Sequence, residues 1–185
     1  MDAQSVIDTL TPLVPGASLE VGRSIDFATM YVPADTLIET CRALRDTPAL
    51  AFNAIIEITA VDYLPHEPRY EVVYHLLSVP NRTRLRLKVR VAGGAAADGI
   101  VPTVQSIWPG AGWLEREVWD MFGIVFADHP DLRRLLMPED WVGHPARKDY
   151  PVQIQKTAQT YEPLEVTEEE FRANIERDRV RRTAH

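Results

Sequence analysis

Apolar and polar positions alternate strictly over Thr83–Val91: Leu85, Leu87, Val89 and Val91 fall on one side, Arg84, Arg86, Lys88 and Arg90 on the other. A period of two belongs to a half-buried strand, because successive side chains of extended backbone point to opposite faces. Two more strand-like runs precede it, residues 52–63, rich in isoleucine, and 70–79, rich in valine, tyrosine and leucine. The connectors 64–68 and 80–82 are short and carry Pro or Asn, which predicts antiparallel neighbours. Residues 27–32 read as a further strand. Helical spacing takes over elsewhere. Val6, Leu10 and Leu13 mark a short N-terminal helix that Pro12, Pro15 and Gly16 end. Pro33 opens another, with Asp35 in its first turn, Leu37, Cys41 and Leu44 at i, i+4 and i+7, and Pro48 at its end. The pattern predicts an α+β fold, a small antiparallel or mixed sheet backed by helices.

A third helix spans residues 112–122, with Leu114, Val118, Met121 and Phe122 on one face. Gly123 reads as its left-handed cap, with Ile124 placed for the hydrophobic contact that accompanies such a cap. Glu115, Arg116, Glu117 and Asp120 occupy the other faces. Arg116 and Asp120, four apart, are expected to pair on the surface, and helix carboxylates are ordinarily solvated. Residues 124–166 then show no sustained period, and Pro130, Pro138, Pro145, Pro151 and Pro163 interrupt them. So long a structureless run is uncommon unless it is functional or disordered. Disorder is poor in large apolar residues, yet this run holds Phe126, Leu132, Leu135, Leu136, Met137, Trp141, Tyr150 and Tyr161, with Arg133, Arg134 and Arg147 among them. Trp, Tyr and Arg dominate interface hot spots, so the run reads as an extended arm ordered by a partner surface. Thr167-Glu168-Glu169-Glu170 then has capping-box form, with Phe171 and Ile175 as the apolar face of a terminal helix and Arg177, Arg179, Arg181 and Arg182 at its end. The expected organisation is a globular domain over 1–123, a partner-docking arm over 124–166 and a terminal helix over 167–185.

Composition narrows the chemistry. The chain has 185 residues, 45% of them hydrophobic and 25% charged. No run approaches the roughly 18 apolar residues of a membrane span. Met1-Asp2-Ala3-Gln4 lacks the basic region of a secretory signal, so any membrane attachment is expected to run through a partner. A net charge of −7 disfavours a general nucleic-acid binder. The single cysteine, Cys41, cannot make an internal disulfide, a redox pair or a cysteine-ligated cluster, and its place on an apolar stripe predicts core packing. The basic stripe from Arg84 to Arg90 reads as a solvated face neutralised by acids on adjacent strands, with docking of an acidic partner as the alternative. The glycine-rich stretch 93–99 has no phosphate-binding pattern. His129, Asp131, His144 and Asp149 carry metal-ligand chemistry but match no compact ligand spacing, so a metal-dependent hydrolase using His129 and His144 stands as the rival function.

Glu115-Arg116-Glu117, two residues, Asp120-Met121-Phe122, six residues, His129, three residues, then Arg133-Arg134-Leu135 resembles the signature of the 30-kilodalton subunit family of respiratory complex I. The continuation Gly143-His144-Pro145-Ala146-Arg147-Lys148-Asp149-Tyr150-Pro151 is similar to that family's second block, with Ala146 where a larger apolar residue is expected. The resemblance implies a peripheral-arm subunit of the proton-pumping NADH–quinone dehydrogenase. Such a subunit holds no redox cofactor, while FMN, iron–sulfur clusters and quinone belong to its partners. It packs against the cluster-bearing B and quinone-site D subunits of complex I, and it lies at the cytoplasmic side of a bacterial inner membrane. Related subunits of ferredoxin-fed complexes and of membrane-bound hydrogenases are the alternative. The residues expected at the subunit interface are Glu115, Arg116, Glu117, Asp120, His129, Arg133, Arg134, Trp141, His144, Arg147, Lys148 and Tyr150.

Overall fold

The structure is a computed structural model that describes residues 2–93, 99–151, 167–173 and 175. The expectations for 94–98 of the glycine-rich loop, for 152–166 of the arm and for the terminal arginines Arg177, Arg179, Arg181 and Arg182 fall outside those residues. The chain divides into two units, Met1–Tyr150 and Pro151–His185.

In the first unit the strands run β1 (Glu20–Val21), β2 (Ala28–Tyr31), β3 (Ala54–Asp62), β4 (Tyr70–Ser78) and β5 (Thr83–Val91), in the sheet order β1-β2-β5-β4-β3. β3, β4 and β5 form the expected antiparallel meander, with Tyr74 of β4 opposite Ile58 on one side and Leu87 on the other. β2 joins it in parallel beside β5. That mixed pairing needs a crossover, which a 3-10 turn at Ala34–Thr36 and helix α2 (Leu37–Asp46) provide. Helix α1 (Ala3–Leu10) is capped by Asp2, whose carboxylate accepts the Ser5 N–H at 2.8 Å.

The strict alternation of β5 is realised in burial. Leu85, Leu87, Val89 and Val91 lie in a core shared with Tyr74, Leu76 and Met30 of the sheet, Val6 and Leu10 of α1, and Leu37, Cys41 and Leu44 of α2. The basic face is neutralised by acids from neighbouring segments: Arg86 meets Asp26 at 2.8 Å, Lys88 meets Glu71 at 2.8 Å, and Arg90 meets Glu20 at 3.1 Å. Arg84 lies over the Phe27 ring.

Two strands of three residues each have no counterpart in the sequence pattern. β6 (Ile100–Pro102) and β7 (Val125–Ala127) pair in parallel across helix α3 (Ala111–Phe122), a small strand–helix–strand unit that seats α3 against the core. The indole of Trp108, just before α3, donates to the Phe52 carbonyl at 3.1 Å and ties this unit to the sheet. In the second unit, residues 168–173 are helical. The capping box forms as expected: Thr167 Oγ1 accepts the Glu170 N–H at 3.3 Å and Glu170 accepts the Thr167 N–H at 3.1 Å.

Leu87 is fully buried at the centre of the sheet. Leu87→Ala is expected to cost about 2–5 kcal/mol of stability, read as a fall in the urea unfolding midpoint of the full chain.

Candidate functional site

Helix α3 and the segment after β7 form one hydrogen-bonded assembly. A helix leaves its last carbonyls without intrahelical partners. Here Gly123, at φ +76°, donates its N–H to the Trp119 carbonyl at 2.7 Å and turns the chain out of the helix, as the cap expectation required. The next three carbonyls are met by the returning arm. His144 Nδ1 donates to the Asp120 carbonyl at 3.0 Å, the Ala146 N–H to that of Met121 at 3.0 Å, and Arg147 Nε to that of Phe122. The Arg147 cation thus sits at the negative end of the helix. A Cβ on residue 123 would collide with Arg147 Nη2 and lie 2.6 Å from the His144 ring, so glycine is required for this approach as well as for the turn.

One turn back, the Asp120 side chain is fully buried. Arg134 Nη1 donates to it at 2.6 Å, and the N–H groups of Leu135, Leu136 and Met137 donate at 3.0, 2.8 and 2.9 Å. Burial alone would raise the pKa of this carboxyl. The hydrogen bonds from Met137, Arg134, Leu136 and Leu135 outweigh it and hold the pKa below the usual carboxylate range. Arg134 also donates to the carbonyls of Trp141 at 2.7 Å and Gly143 at 3.1 Å. Arg116 donates to the carbonyls of Arg133 and Arg134, each at 3.0 Å. The expected surface pair of Arg116 with Asp120 is therefore corrected. The face of α3 that carries Asp120 is covered by the arm, which supplies its own guanidinium and leaves Arg116 to the arm's carbonyls.

Glu115 corrects the same expectation of a solvated helix acid. It is fully buried and accepts from the Val104 N–H at 2.7 Å and from the Thr103 hydroxyl. Burial pushes its pKa up to about 7 against the pull of those two bonds. His129 Nδ1 accepts the Asp131 N–H at 3.1 Å, which leaves its proton on Nε2, facing the Gly112 carbonyl at 3.1 Å and Glu115 at 3.8 Å. At the far end of the arm, Arg69 is buried between Asp62, at 2.8 Å, and Asp149, also at 2.8 Å, and Asp62 accepts the Lys148 N–H at 2.9 Å.

Of the metal candidates, His129 and His144 spend ring nitrogens on backbone groups, Asp131 is bridged to Arg133 and Asp149 to Arg69. Among the described residues no group of three or more His, Cys, Asp or Glu could hold a metal ion, so the hydrolase reading finds no ligand set. The apolar side chains go the other way. Trp113 on α3 is 62% exposed, Leu136 60% and Val142 85%. Glu117, Arg133 and Lys148 are exposed as well, while Trp141 and Tyr150 are half-buried. Asp62, Arg69 and Thr103 belong to the assembly although no motif marks them; the signal available was two opposite charges flanking the short 64–68 connector.

The sequence pattern of the family described as "Respiratory-chain NADH dehydrogenase, 30 Kd subunit" matches residues 30–156. The chain belongs to this family. Every residue of the α3–arm assembly lies inside the matched region. Among its relatives, the C subunit of the NADH-quinone oxidoreductase of Roseiflexus sp. (strain RS-1) is 44% identical over 161 residues, 87% of this chain and 91% of the relative. That of Geobacter metallireducens is 52% identical over 126 residues, 68% of this chain and 75% of the relative. A chain of the membrane-bound sulfane sulfur reductase, an archaeal respiratory membrane complex, superposes with a TM-score of 0.63 at 27% identity, covering 89% of this chain and 94% of that one.

Two outcomes follow for this family member. Asp120→Asn removes the charge on which four donors converge and leaves Arg134 uncompensated, with an expected loss of about 3 kcal/mol in urea unfolding at neutral pH. The two buried acids also act in opposite directions with pH. The pKa of Asp120 is depressed on folding, so its contribution is present above the ordinary carboxylate pKa and lost in acid. That of Glu115 is raised from 4.5 to about 7, so its contribution is present below 4.5 and lost as pH rises through 7, by at most about 3 kcal/mol. Stability measured from pH 6 to 8.5 is expected to fall in the wild type and to stay level in Glu115→Gln.

Proposed function

We propose that this chain is a non-catalytic, cofactor-free subunit of a NADH–quinone oxidoreductase. It braces the peripheral arm beside the iron–sulfur B subunit and the quinone-site D subunit, and FMN, the clusters and quinone are held by those and other partners. The observation that carries the reading is the division of labour in the α3–arm assembly. Asp120, Arg116, Arg134, His144 and Arg147 are spent inside the chain, while Trp113, Leu136 and Val142 are displayed outward on backbone fixed by those bonds. A surface ordered before contact loses little entropy on docking, and exposed aromatic and aliphatic anchors are what an interface core uses. Membrane attachment through partners, at the cytoplasmic side of a bacterial inner membrane, fits a chain in which no described helix is long and apolar enough to cross a membrane. The relatives named as NADH-quinone oxidoreductase subunits, at 44% and 52% identity, favour the NADH-linked complex. The likeness to the sulfane sulfur reductase chain supports a second reading, the equivalent subunit of a complex with another electron donor.

Trp113→Ala combined with Val142→Asp is expected to cut the yield of assembled oxidoreductase, and NADH–quinone reductase activity in membranes, by ten-fold or so. The unfolding free energy of the chain alone should move by less than about 1 kcal/mol, because both sites are exposed. Full assembly in the double variant would count against the docking surface. Mass spectrometry of the partners co-purified from native membranes separates the NADH-linked complex from its relatives.

A further inference from the structure

Glu115 contributes nothing to the outward surface, yet it is a carboxyl set at zero exposure beside the His129 ring of the arm. His129 has one N–H to give, because its Nδ1 is committed to accepting from Asp131. Two acceptors stand before that N–H, the Gly112 carbonyl at 3.1 Å and Glu115 Oε2 at 3.8 Å. We propose that Glu115 and His129 form a proton-operated latch at the root of the arm: His129 gives its Nε2–H to the Gly112 carbonyl while Glu115 is neutral, and to the carboxylate once Glu115 is ionised.

The neutral state is satisfied as the structure stands. Oε1 accepts the Val104 N–H and Oε2 accepts the hydrogen of the Thr103 hydroxyl. Ionisation places a full charge there, and among the described residues no lysine or arginine forms an ion pair with it. A buried charge without a counter-ion is costly, so the nearest movable donor is drawn in. The side chains in reach of the Glu115 carboxyl are Thr103 before α3 and His129 from the arm, and its charge is also felt by the buried Cys41 of α2 and Tyr74 of β4. Burial, reinforced by the Glu115 charge, raises the pKa of both Cys41 and Tyr74 above their ordinary values, so both stay protonated near neutrality. The buried Tyr74 hydroxyl has no hydrogen-bond partner among the described residues, so Tyr74→Phe tests it as the alternative donor. On the arm side Asp131 faces the ring, its carboxylate held by Arg133 at 2.6 Å and approached by Arg116 at 3.9 Å. A turn of the ring therefore pulls on the same short segment whose carbonyls Arg116 holds. Because burial pushes the Glu115 carboxyl up to about 7, the latch operates in the physiological range. It is a property of this chain and does not depend on the docking role.

The test is a titration of the full chain from pH 5.5 to 8.5, with ring-nitrogen NMR of His129 and carboxyl-carbon NMR of Glu115. The expected result is a joint inflection near pH 7 in which the His129 Nε2–H signal shifts while Nδ1 keeps the frequency of an unprotonated acceptor. The inflection should vanish in Glu115→Gln and persist in Tyr74→Phe. A flat His129 response, an inflection surviving in Glu115→Gln, its loss in Tyr74→Phe, or protonation of Nδ1 through the transition would each overturn the latch. Should the Glu115→Gln chain fail to fold, the wild-type carboxyl signal decides alone: a Glu115 midpoint below 5 contradicts the proposal and one near 7 coupled to His129 sustains it.

Discussion

The Asp120 carboxylate lies wholly out of water at the end of α3, where an uncompensated charge would cost several kcal/mol. It is tolerated because Arg134 and three consecutive backbone N–H groups of the arm converge on it. Residues 134–137 of the arm take their position from this charge. With residues 134–137 fixed, the chain returns so that His144, Ala146 and Arg147 reach the last carbonyls of the helix. Lys148 and Asp149 then close on the Asp62–Arg69 pair at the end of the sheet. A proline-punctuated segment without strand or helix ladders of its own thus satisfies its backbone against a helix that needed partners.

Much of the fold was legible in the linear pattern. The period of two in β5 and the apolar stripe of α3 each report a local rule and each element lies where its rule places it, while Pro33 opens a 3-10 turn that carries Asp35 and α2 itself begins at Leu37. β6 and β7 were not legible, because three-residue strands carry too few positions for a period. The parallel pairing of β2 with β5 was open for a related reason, since register across a crossover depends on packing rather than on turn chemistry.

The site was legible in membership and illegible in sign. The motif residues Glu115, Arg116, Asp120, His129, Arg134, His144 and Arg147 do come together. A linear reading treats helix acids and arm arginines as groups seeking water or a partner, since it cannot show that an arm folds back over its own helix. Of the arm's described cations, Arg134 and Arg147 are held by its own chain while Arg133 and Lys148 are exposed, and the exposed apolar set is Trp113, Leu136 and Val142. Trp113 carries no signal in the linear pattern because it falls off the apolar face of α3.

Amide hydrogen exchange on the isolated full chain tests most directly whether the arm is ordered by its own helix. The account predicts that the N–H groups of Leu135, Leu136, Met137 and Ala146 exchange orders of magnitude more slowly than in an unstructured peptide, with no other polypeptide present. Exchange of those four at free-peptide rates, with β4 and β5 still protected, would contradict it and return the ordering of the arm to a partner.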